Sequence, residues 1–189
     1  MTGFCTKTYT QTMGTMTDPR DGQIYKTVSF ENEFTGTSIT WMAENLNYKT
    51  SGSFAYENNE KFRNNVGLLY TWETATKACP SGWHLPSDGE WKVLVSKYGG
   101  EDKAGEALKG EKDWNEGGNG TNSSGFIGLP AGCSGPGGFG YLGKSGYWWS
   151  STVYSCGEAW RYGLSSSNSE VTRIYYYKHY AYSCRCIRD

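Results

Sequence analysis

The stretch Cys79–Trp91, which reads CPSGWHLPSDGEW, fixes where one helix of this chain ends and the next begins. Pro80 and Gly82 interrupt helical structure, so a helix that precedes them must end at this point. In the tetrapeptide SDGE at 87–90, the Ser87 hydroxyl can accept the amide hydrogen of Glu90, while the Glu90 carboxylate accepts that of Ser87. This reciprocal capping box predicts that a second helix begins directly after Ser87.

Large apolar side chains recur at helical spacing on both sides of this stretch. Downstream they occupy positions i, i+3, i+4 and i+7, and Gly99 follows where a left-handed cap is needed. These residues are Trp91, Leu94, Val95 and Tyr98. Upstream, segment 68–79 has similar spacing, and a short third helix is expected over 102–109. The chain therefore has two main helices.

Alternating side chains predict strands before and after the helices. Segments 23–30 and 38–44 alternate apolar and polar residues around a polar turn with Gly36, which is typical of a hairpin. Segment 116–146 contains 12 Gly in 31 residues, and the apolar residues between them indicate an ordered, packed loop. Segment 183–189 is expected to be a strand, with Cys184 and Cys186 on one face.

Composition limits the possible classes of protein. With 189 residues and a net charge of −1, the chain is one domain long and lacks the cationic surface of a nucleic-acid binder. Its 8 Trp, 15 Tyr and 7 Phe can build a core from a few large rings. No apolar run is long enough for a membrane span. We expect residues 1–20 to form a polar N-terminal arm, without the apolar stretch of a signal peptide, and residues 21–189 to form the domain.

The six cysteines favour disulfides over a metal site. Cys184 and Cys186 are separated by one residue, and the chain has only two histidines, so the spacing matches no zinc site. Disulfides are typical of an oxidising or extracellular setting. The spacing alone does not choose among the pairings, and free buried thiols are the alternative.

Five segments, in this order, carry a resemblance to a known family. They are Trp41–Tyr48 (WMAENLNY), Cys79–Trp91, Thr121–Gly132 (TNSSGFIGLPAG), Tyr147–Thr152 (YWWSST) and Arg185–Asp189 (RCIRD). They resemble the Fibrobacter succinogenes major paralogous domain, related to the formylglycine-generating-enzyme branch of the C-type-lectin-like fold. The resemblance implies an α+β domain with two main helices, a twisted antiparallel sheet whose N- and C-terminal strands lie together, and a long Gly-rich loop region. It also implies a disulfide between Cys79 and Cys186, like the one that joins helix and terminal strand in C-type lectins.

The composition of segment 153–182 adds a second resemblance. It is similar to the variable proteins of diversity-generating retroelements, in which adenine-directed mutagenesis of Asn codons yields Tyr, Ser, His, Arg and other residues. This resemblance implies a hypervariable ligand-binding surface, whereas Trp148, Trp149 and Trp160 are assigned to the core. The candidate ligand-binding residues are Tyr154, Ser155, Arg161, Tyr162, Ser167, Asn168, Arg173, Tyr175, Tyr176, Tyr177, His179 and Tyr180.

Such a surface suits binding without catalysis. Tyr offers a large, stiff, amphipathic contact area, and Ser and Asn add adaptable hydrogen bonds. We expect a receptor or adhesin that is extracellular, on a bacterial cell surface or phage particle, and binds a protein or glycan ligand there. It should need no cofactor and bind no nucleic acid. At least five of the twelve candidates should be exposed and lie on one face.

Two other functions remain open. Aromatic faces also stack on sugars, so a fixed carbohydrate-binding module is one alternative. The other is a formylglycine-generating-type oxidase that uses Cys184 and Cys186, but their spacing is narrower than in that family and nothing nearby is expected to activate a thiolate. We therefore do not expect an enzyme. His84 is assigned a structural role.

A calcium site is a further alternative within the Gly-rich loop. The proline-containing calcium motifs of C-type lectins have no match around the five prolines of this chain. Carboxylate and amide oxygens in the loop could still bind calcium, although their spacing matches no EF-hand. They belong to Asp113, Asn115, Glu116, Asn119 and Asn122.

Overall fold

The computed structural model describes residues 9–32 and 36–189. Within these ranges the strands are β1 (Tyr9–Thr17), β2 (Ile24–Asn32), β3 (Ser38–Met42), β4 (Ser53–Phe54), β5 (Leu69–Thr71), β6 (Trp83–His84), β7 (Ala131–Gly135), β8 (Gly138–Leu142), β9 (Ser145–Val153), β10 (Glu158–Ser165), β11 (Val171–Tyr177), β12 (Ala181–Ser183) and β13 (Ile187–Arg188). The helices are α1 (Glu60–Val66), α2 (Trp72–Ala78), α3 (Asp88–Lys97) and α4 (Ala104–Leu108). The mixed α+β class is confirmed.

A five-stranded sheet in the order β1-β2-β3-β13-β6 brings the two ends of the described chain together. β2 and β3 pair antiparallel, as the hairpin prediction requires. β13 joins β3 through the pair Ile187 and Trp41, so N- and C-terminal strands are neighbours. Part of the segment expected to be a polar arm forms β1, which pairs with β2 along its whole length.

An eight-stranded sheet contains most of the C-terminal half of the chain. Its order is β11-β10-β9-β7-β12-β5-β4, with β8 paired to β7. β11 lies at one edge and β4 at the other. The Gly-rich segment 116–146 is ordered as expected, but it also contains the β7–β8 hairpin, which was not predicted.

The capping box at the start of α3 is confirmed. Ser87 Oγ accepts from the Glu90 amide at 3.3 Å, and Glu90 Oε2 accepts from the Ser87 amide at 2.7 Å. Gly99 has a φ of 98°, the left-handed conformation expected after this helix. None of the helices in the described ranges is long and apolar enough to cross a membrane.

The other helices differ from their predictions. α2 begins at Trp72, because Leu69–Thr71 forms β5 and pairs with β12 near the C-terminus. A long-range pairing of this kind overrides the helical spacing that began at Leu68. The third helix is shorter than expected and covers only Ala104–Leu108. α1 was not predicted, since it buries only Val66 and has no apolar periodicity.

Interlocking aromatic rings form the centre of the domain. Trp91 lies 5.0 Å from Trp41, 5.6 Å from Phe126 and 6.4 Å from Trp148, measured between ring centroids. All four side chains are buried. We call this group the central ring cluster. Because α3, β3, β9 and the Gly-rich segment each contribute one ring, the cluster ties the layers together.

A buried arginine connects the C-terminal segment to the Gly-rich segment. Arg185 is fully buried, and its Nη1 donates to the carbonyl oxygens of Met42 and Phe126. Its Nη2 donates to Asn45 Oδ1 at 2.8 Å. The RCIRD segment therefore has a structural role in holding β3 against the Gly-rich segment.

The disulfide between Cys79 and Cys186 is confirmed. It joins the residue after α2 to the residue before β13, two positions that are 107 apart in sequence. Cys133, Cys156 and Cys184 are free thiols. Cys5 lies outside the described residues.

Candidate ligand-binding surface

The predicted contact residues lie mainly on and around the β10–β11 hairpin, at one edge of the eight-stranded sheet. The antiparallel register places Trp160 opposite Tyr175 and Arg161 opposite Ile174. Successive side chains of a strand point to opposite faces, so Trp160 and Arg161 lie on different sides of the hairpin. The hairpin therefore has two distinct sides, each with its own aromatic group.

One side holds three rings that we call the outer ring cluster: Tyr154, Trp160 and Tyr175. Tyr154 and Tyr175 stack with 3.7 Å between ring centroids and 1° between ring planes. Trp160 meets both edge-on, at 5.4 Å and 5.7 Å. Tyr154 is nevertheless 49% exposed and Tyr175 38% exposed. The rings thus hold one another in place while they present a broad area to solvent.

An ion pair anchors this cluster to α3. The Arg173 guanidinium lies 3.5 Å from the Trp160 ring centroid, and its Nε and Nη2 donate to the two oxygens of Asp88 at 2.6 Å and 2.9 Å. Asp88 also accepts from the Tyr162 hydroxyl at 2.9 Å and pairs with Lys92 at 2.7 Å. Burial raises the pKa of Asp88, but the hydrogen bonds from Arg173, Lys92 and Tyr162 outweigh it and lower the pKa to about 2.

Two assignments on β10 are wrong. Tyr162, predicted to contact ligand, is only 1% exposed and stacks on Trp91 at 4.9 Å, because α3 covers this part of the hairpin. Trp160, assigned to the core together with Trp148 and Trp149, is half-buried and belongs to the outer ring cluster. Trp148 and Trp149 are buried as expected.

The remaining eleven candidates differ in exposure. The exposed ones are Tyr154, Ser167, Asn168, Tyr175, Tyr177 and His179. The half-buried ones are Ser155, Arg161, Arg173, Tyr176 and Tyr180. Six exposed residues exceed the five that we expected.

These residues do not form the single face that we expected. Ser167 and Asn168 lie in the turn between β10 and β11, at the end of the hairpin opposite Tyr154. There the Lys109 ammonium donates to the Asn168 carbonyl at 2.9 Å. Alternation along the strands separates Arg161 and Tyr176 from the outer ring cluster. The candidates therefore occupy both sides and both ends of the hairpin.

The second side holds a group that we call the arginine box: Arg161, Tyr147, Tyr176 and Tyr182. The Arg161 guanidinium carbon lies 4.4 Å from the Tyr147 ring centroid and 5.4 Å from those of Tyr176 and Tyr182. Such distances are typical of cation–π contacts. Sequence reasoning identified Arg161 and Tyr176, but not Tyr147 or Tyr182, because β9 and β12 reach this side only through sheet pairing.

A cleft of about 420 Å³ lies at the end of the hairpin near Tyr154. It is lined by Thr71, Glu73, Cys156, Gly157, Lys178 and His179. Lys178 shapes it, since its ammonium donates to the carbonyl oxygens of Ser155 and Cys156 at 3.2 Å and 2.9 Å. Only His179 among the lining residues was a predicted contact. Lys178 carried no motif that could have identified it, because its role depends on these two backbone contacts.

His84 bridges two carboxylates at the end of the five-stranded sheet. Its Nδ1 lies 2.6 Å from Asp189 Oδ1, and its Nε2 lies 3.0 Å from Glu90 Oε1. Burial lowers the pKa of His84, but the hydrogen bonds with Asp189 and Glu90 outweigh it, so the pKa is raised. These contacts link the capping box of α3 to the last residue and agree with a structural role.

Cys184 and Cys186, near the C-terminus, form a compact group of sulfur atoms with Cys79. The sulfur atoms of Cys79, Cys184 and Cys186 lie within 4.8 Å of one another, but those of Cys79 and Cys186 are bonded together. Cys184 is fully buried, and burial raises its pKa to about 12. A protonated, enclosed thiol is a poor nucleophile.

Two of the oxygens proposed for calcium have structural partners. Asn119 Oδ1 accepts from the Trp114 amide at 3.1 Å, and Asn122 Oδ1 accepts from the Ile127 amide at 2.8 Å. These amide side chains therefore brace the Gly-rich segment from within.

The fold and site define a mixed α+β domain with an aromatic-rich hairpin at a sheet edge. The sequence matches the Fibrobacter succinogenes major domain over residues 33–188, most of the chain, and the protein therefore belongs to that family. No curated protein and no solved structure matches it.

Proposed function

We propose that this chain is a ligand-binding module, a receptor or adhesin, whose contact surface is centred on the outer ring cluster. The observation that carries the proposal is the stacked pair of Tyr154 and Tyr175, which are mutually ordered yet 49% and 38% exposed. Rings already held in place lose little conformational freedom when a partner binds, which favours affinity. The exposed Tyr177 and His179, stacked at 5.5 Å, extend this surface towards the cleft.

We propose further that the domain has the C-type-lectin-like fold and is the variable protein of a diversity-generating retroelement, acting outside the cell on a bacterial surface or phage particle. Family membership, the neighbouring terminal strands and the disulfide between Cys79 and Cys186 support the fold. The concentration of Tyr and Ser on an edge hairpin, apart from the central ring cluster, supports diversification.

The neighbouring DNA tests the genetic part of this proposal. We expect a reverse transcriptase gene and a near-copy of the codons for residues 147–182 that differs from them mainly at adenines. A near-copy whose differences spread evenly over the four bases, or a locus with neither element, would contradict it.

Arrays of glycans and of intact bacterial cells test the binding part. We expect the wild-type protein to bind a subset of spots and the double variant Tyr154→Ala/Tyr175→Ala to lose them. Phe54→Ala is the matched control, because Phe54 is 37% exposed on β4, at the opposite edge of the same sheet. Spots that survive the double variant, or a wild-type protein that binds neither array, would count against the outer ring cluster. Signal confined to the glycan array would favour a fixed carbohydrate-binding module.

The proposed function involves no catalysis and no cofactor. Cys186 is oxidised and the Cys184 thiol is enclosed, which supports this proposal. We expect no oxidation of a Cys-containing sulfatase peptide in the presence of copper. Formation of formylglycine by the wild-type protein, lost in Cys184→Ser, would instead support an oxidase.

A further inference from the structure

The arginine box contains a cation whose buried nitrogens have no hydrogen-bond partner among the described residues. Arg161 Nε and Nη1 are both buried, and neither has a hydrogen-bond partner among the described residues. By contrast, Arg173 donates twice to Asp88, and Arg63 donates to Asn47 and Glu60. A partly buried cation without a partner is costly, so its retention in the fold suggests that something else neutralises it.

The surroundings of Arg161 are aromatic and supply no negative charge. No carboxylate of the described chain forms an ion pair with it. Tyr147 and Tyr182 pack at 5.3 Å, and Tyr180 packs behind Tyr176 at 4.8 Å, so the three rings around Arg161 are themselves held in place. Burial raises the pKa of the nearby Cys133 thiol, although Arg161 opposes this, so Cys133 is not a counterion either.

Two glycines make room for this arrangement. A Cβ on Gly163, two residues along β10, would lie 2.9 Å from Arg161 Nη1 and 3.0 Å from the Tyr147 ring. A Cβ on Gly135 would lie 2.3 Å from the Tyr180 ring. Any side chain at either position would therefore displace the guanidinium or a wall of the box.

The guanidinium remains open to approach from solvent. Arg161 is half-buried as a residue, and Nη2 is not among its enclosed, unpartnered atoms. Tyr147 and Tyr176 are also only half-buried, and Tyr141, 6.3 Å from Tyr147, is 60% exposed. A planar guanidinium between aromatic walls, open at Nη2, suits a carboxylate that accepts a charge-assisted hydrogen bond from Nη2 and is carried on an apolar body that lies against the rings.

We propose that the arginine box is a second subsite, which binds a carboxylate carried on an apolar body, as at the C-terminal residue of a polypeptide. This inference deepens the proposed function, on which it rests, by naming the chemistry of the ligand. A polypeptide fits better than a sugar, because the walls of the box are three tyrosine rings and include no carboxylate or amide side chain to pair with several hydroxyl groups.

The test uses three small probes with the whole chain. Hippurate carries a carboxylate next to an amide and a phenyl ring, hippuramide is its neutral analogue, and glucuronate is a sugar carboxylate. We expect hippurate to bind at least about ten-fold more tightly than either of the others and to shift the Arg161 Nε–H resonance in an NMR titration. Equal binding of hippurate and hippuramide would overturn the carboxylate site, and tighter binding of glucuronate would overturn the polypeptide assignment.

Variants separate a binding role of Arg161 from a structural one. Arg161→Met should weaken hippurate binding at least about ten-fold without lowering the melting temperature, since it removes a charge that has no hydrogen-bond or ion-pair partner and keeps an unbranched apolar side chain against the rings. Arg161→Lys, which keeps the charge but not the planar fork, should weaken it several-fold. Arg188→Gln is the control, because it removes one exposed positive charge elsewhere.

A lower melting temperature of Arg161→Met with unchanged hippurate binding would assign Arg161 to the fold and overturn the proposal. The outcome is independent of the array experiment. If the double variant Tyr154→Ala/Tyr175→Ala loses its array spots but the wild-type protein does not bind hippurate, the second subsite alone is overturned. If the double variant keeps its array spots and the wild-type protein binds hippurate, the outer ring cluster alone is overturned.

Discussion

The central ring cluster and the outer ring cluster both consist of closely packed aromatic rings, but the first lies in the core and the second at the surface. Ring centroids lie 5.0 Å apart for Trp41 and Trp91 in the first and 3.7 Å apart for Tyr154 and Tyr175 in the second. The central rings are buried, whereas the two outer tyrosines are exposed. Close ring packing therefore does not by itself identify a core. In the outer cluster it orders an exposed surface, and under the proposed function this order would lower the conformational cost of binding a partner.

The largest loss of stability should come from removing the disulfide between Cys79 and Cys186. Cys79→Ala/Cys186→Ala should lower the free energy of unfolding by about 4 to 5 kcal/mol on the chain-entropy account, because the bond closes a loop of more than a hundred residues. Urea unfolding measures the change. Cys156→Ser, at an exposed free thiol, is the control. A loss equal to that of the control would contradict the assigned role of the disulfide.

Removing one central ring should have nearly the same effect. Trp91 is 2% exposed and contacts Trp41, Phe126 and Tyr162, so Trp91→Ala should cost roughly 3 to 5 kcal/mol. Thermal and urea unfolding check this, with Trp91→Phe as a variant that keeps an aromatic ring. If Trp91→Ala unfolded like the wild type, the distinction between the two clusters would fail.

The ion pair between Asp88 on α3 and Arg173 beside the outer ring cluster should make a pH-dependent contribution to stability. The Asp88 pKa is lowered from 3.8 to about 2, so its contribution to stability is fully present above pH 3.8 and is lost as the pH falls through 2. We expect Asp88→Asn to cost about 2 kcal/mol at pH 7 and progressively less between pH 4 and pH 2. Unfolding measured across this range tests it, with the exposed Asp102→Asn as control. A pH-independent cost would show that Asp88 acts only through packing.

The smallest effect on stability should come from the outer tyrosines. Tyr154→Ala/Tyr175→Ala should lower the free energy of unfolding by less than about 1.5 kcal/mol, the upper value for an aromatic pair, because both rings are substantially exposed. Melting curves beside those of Phe54→Ala check this. A loss as large as that of Trp91→Ala would place these rings in the core.

The sequence predicted local features well and long-range features poorly. The capping box of Ser87 and Glu90 depends on four consecutive residues, so it could be identified without the fold. β5 could not, since it exists only because Leu69–Thr71 pairs with β12. The disulfide between Cys79 and Cys186 came from family resemblance, because spacing left the pairings open.

For the candidate site, too, local features could be predicted from the sequence and long-range features could not. Its location in segment 153–182 was visible from composition, but the burial of Tyr162 was not. Tyr162 and Trp160 lie on the same side of β10. Tyr162 is buried because α3 covers it, whereas Trp160 lies beyond α3 and stays half-buried. Likewise, the sequence could not show that Arg161 lacks a hydrogen-bond partner, because its aromatic surroundings form only when β9 and β12 bring Tyr147 and Tyr182 beside it.

The most direct test of the account is a pair of display libraries sorted for protease resistance. One library randomises Tyr154, Tyr175 and Tyr177, and the other randomises Trp41, Trp91 and Trp148. The account predicts that most members of the first library remain folded and that nearly all members of the second are lost. If the outer positions proved as intolerant as the central ones, the hairpin would be part of the core and not a surface for contact.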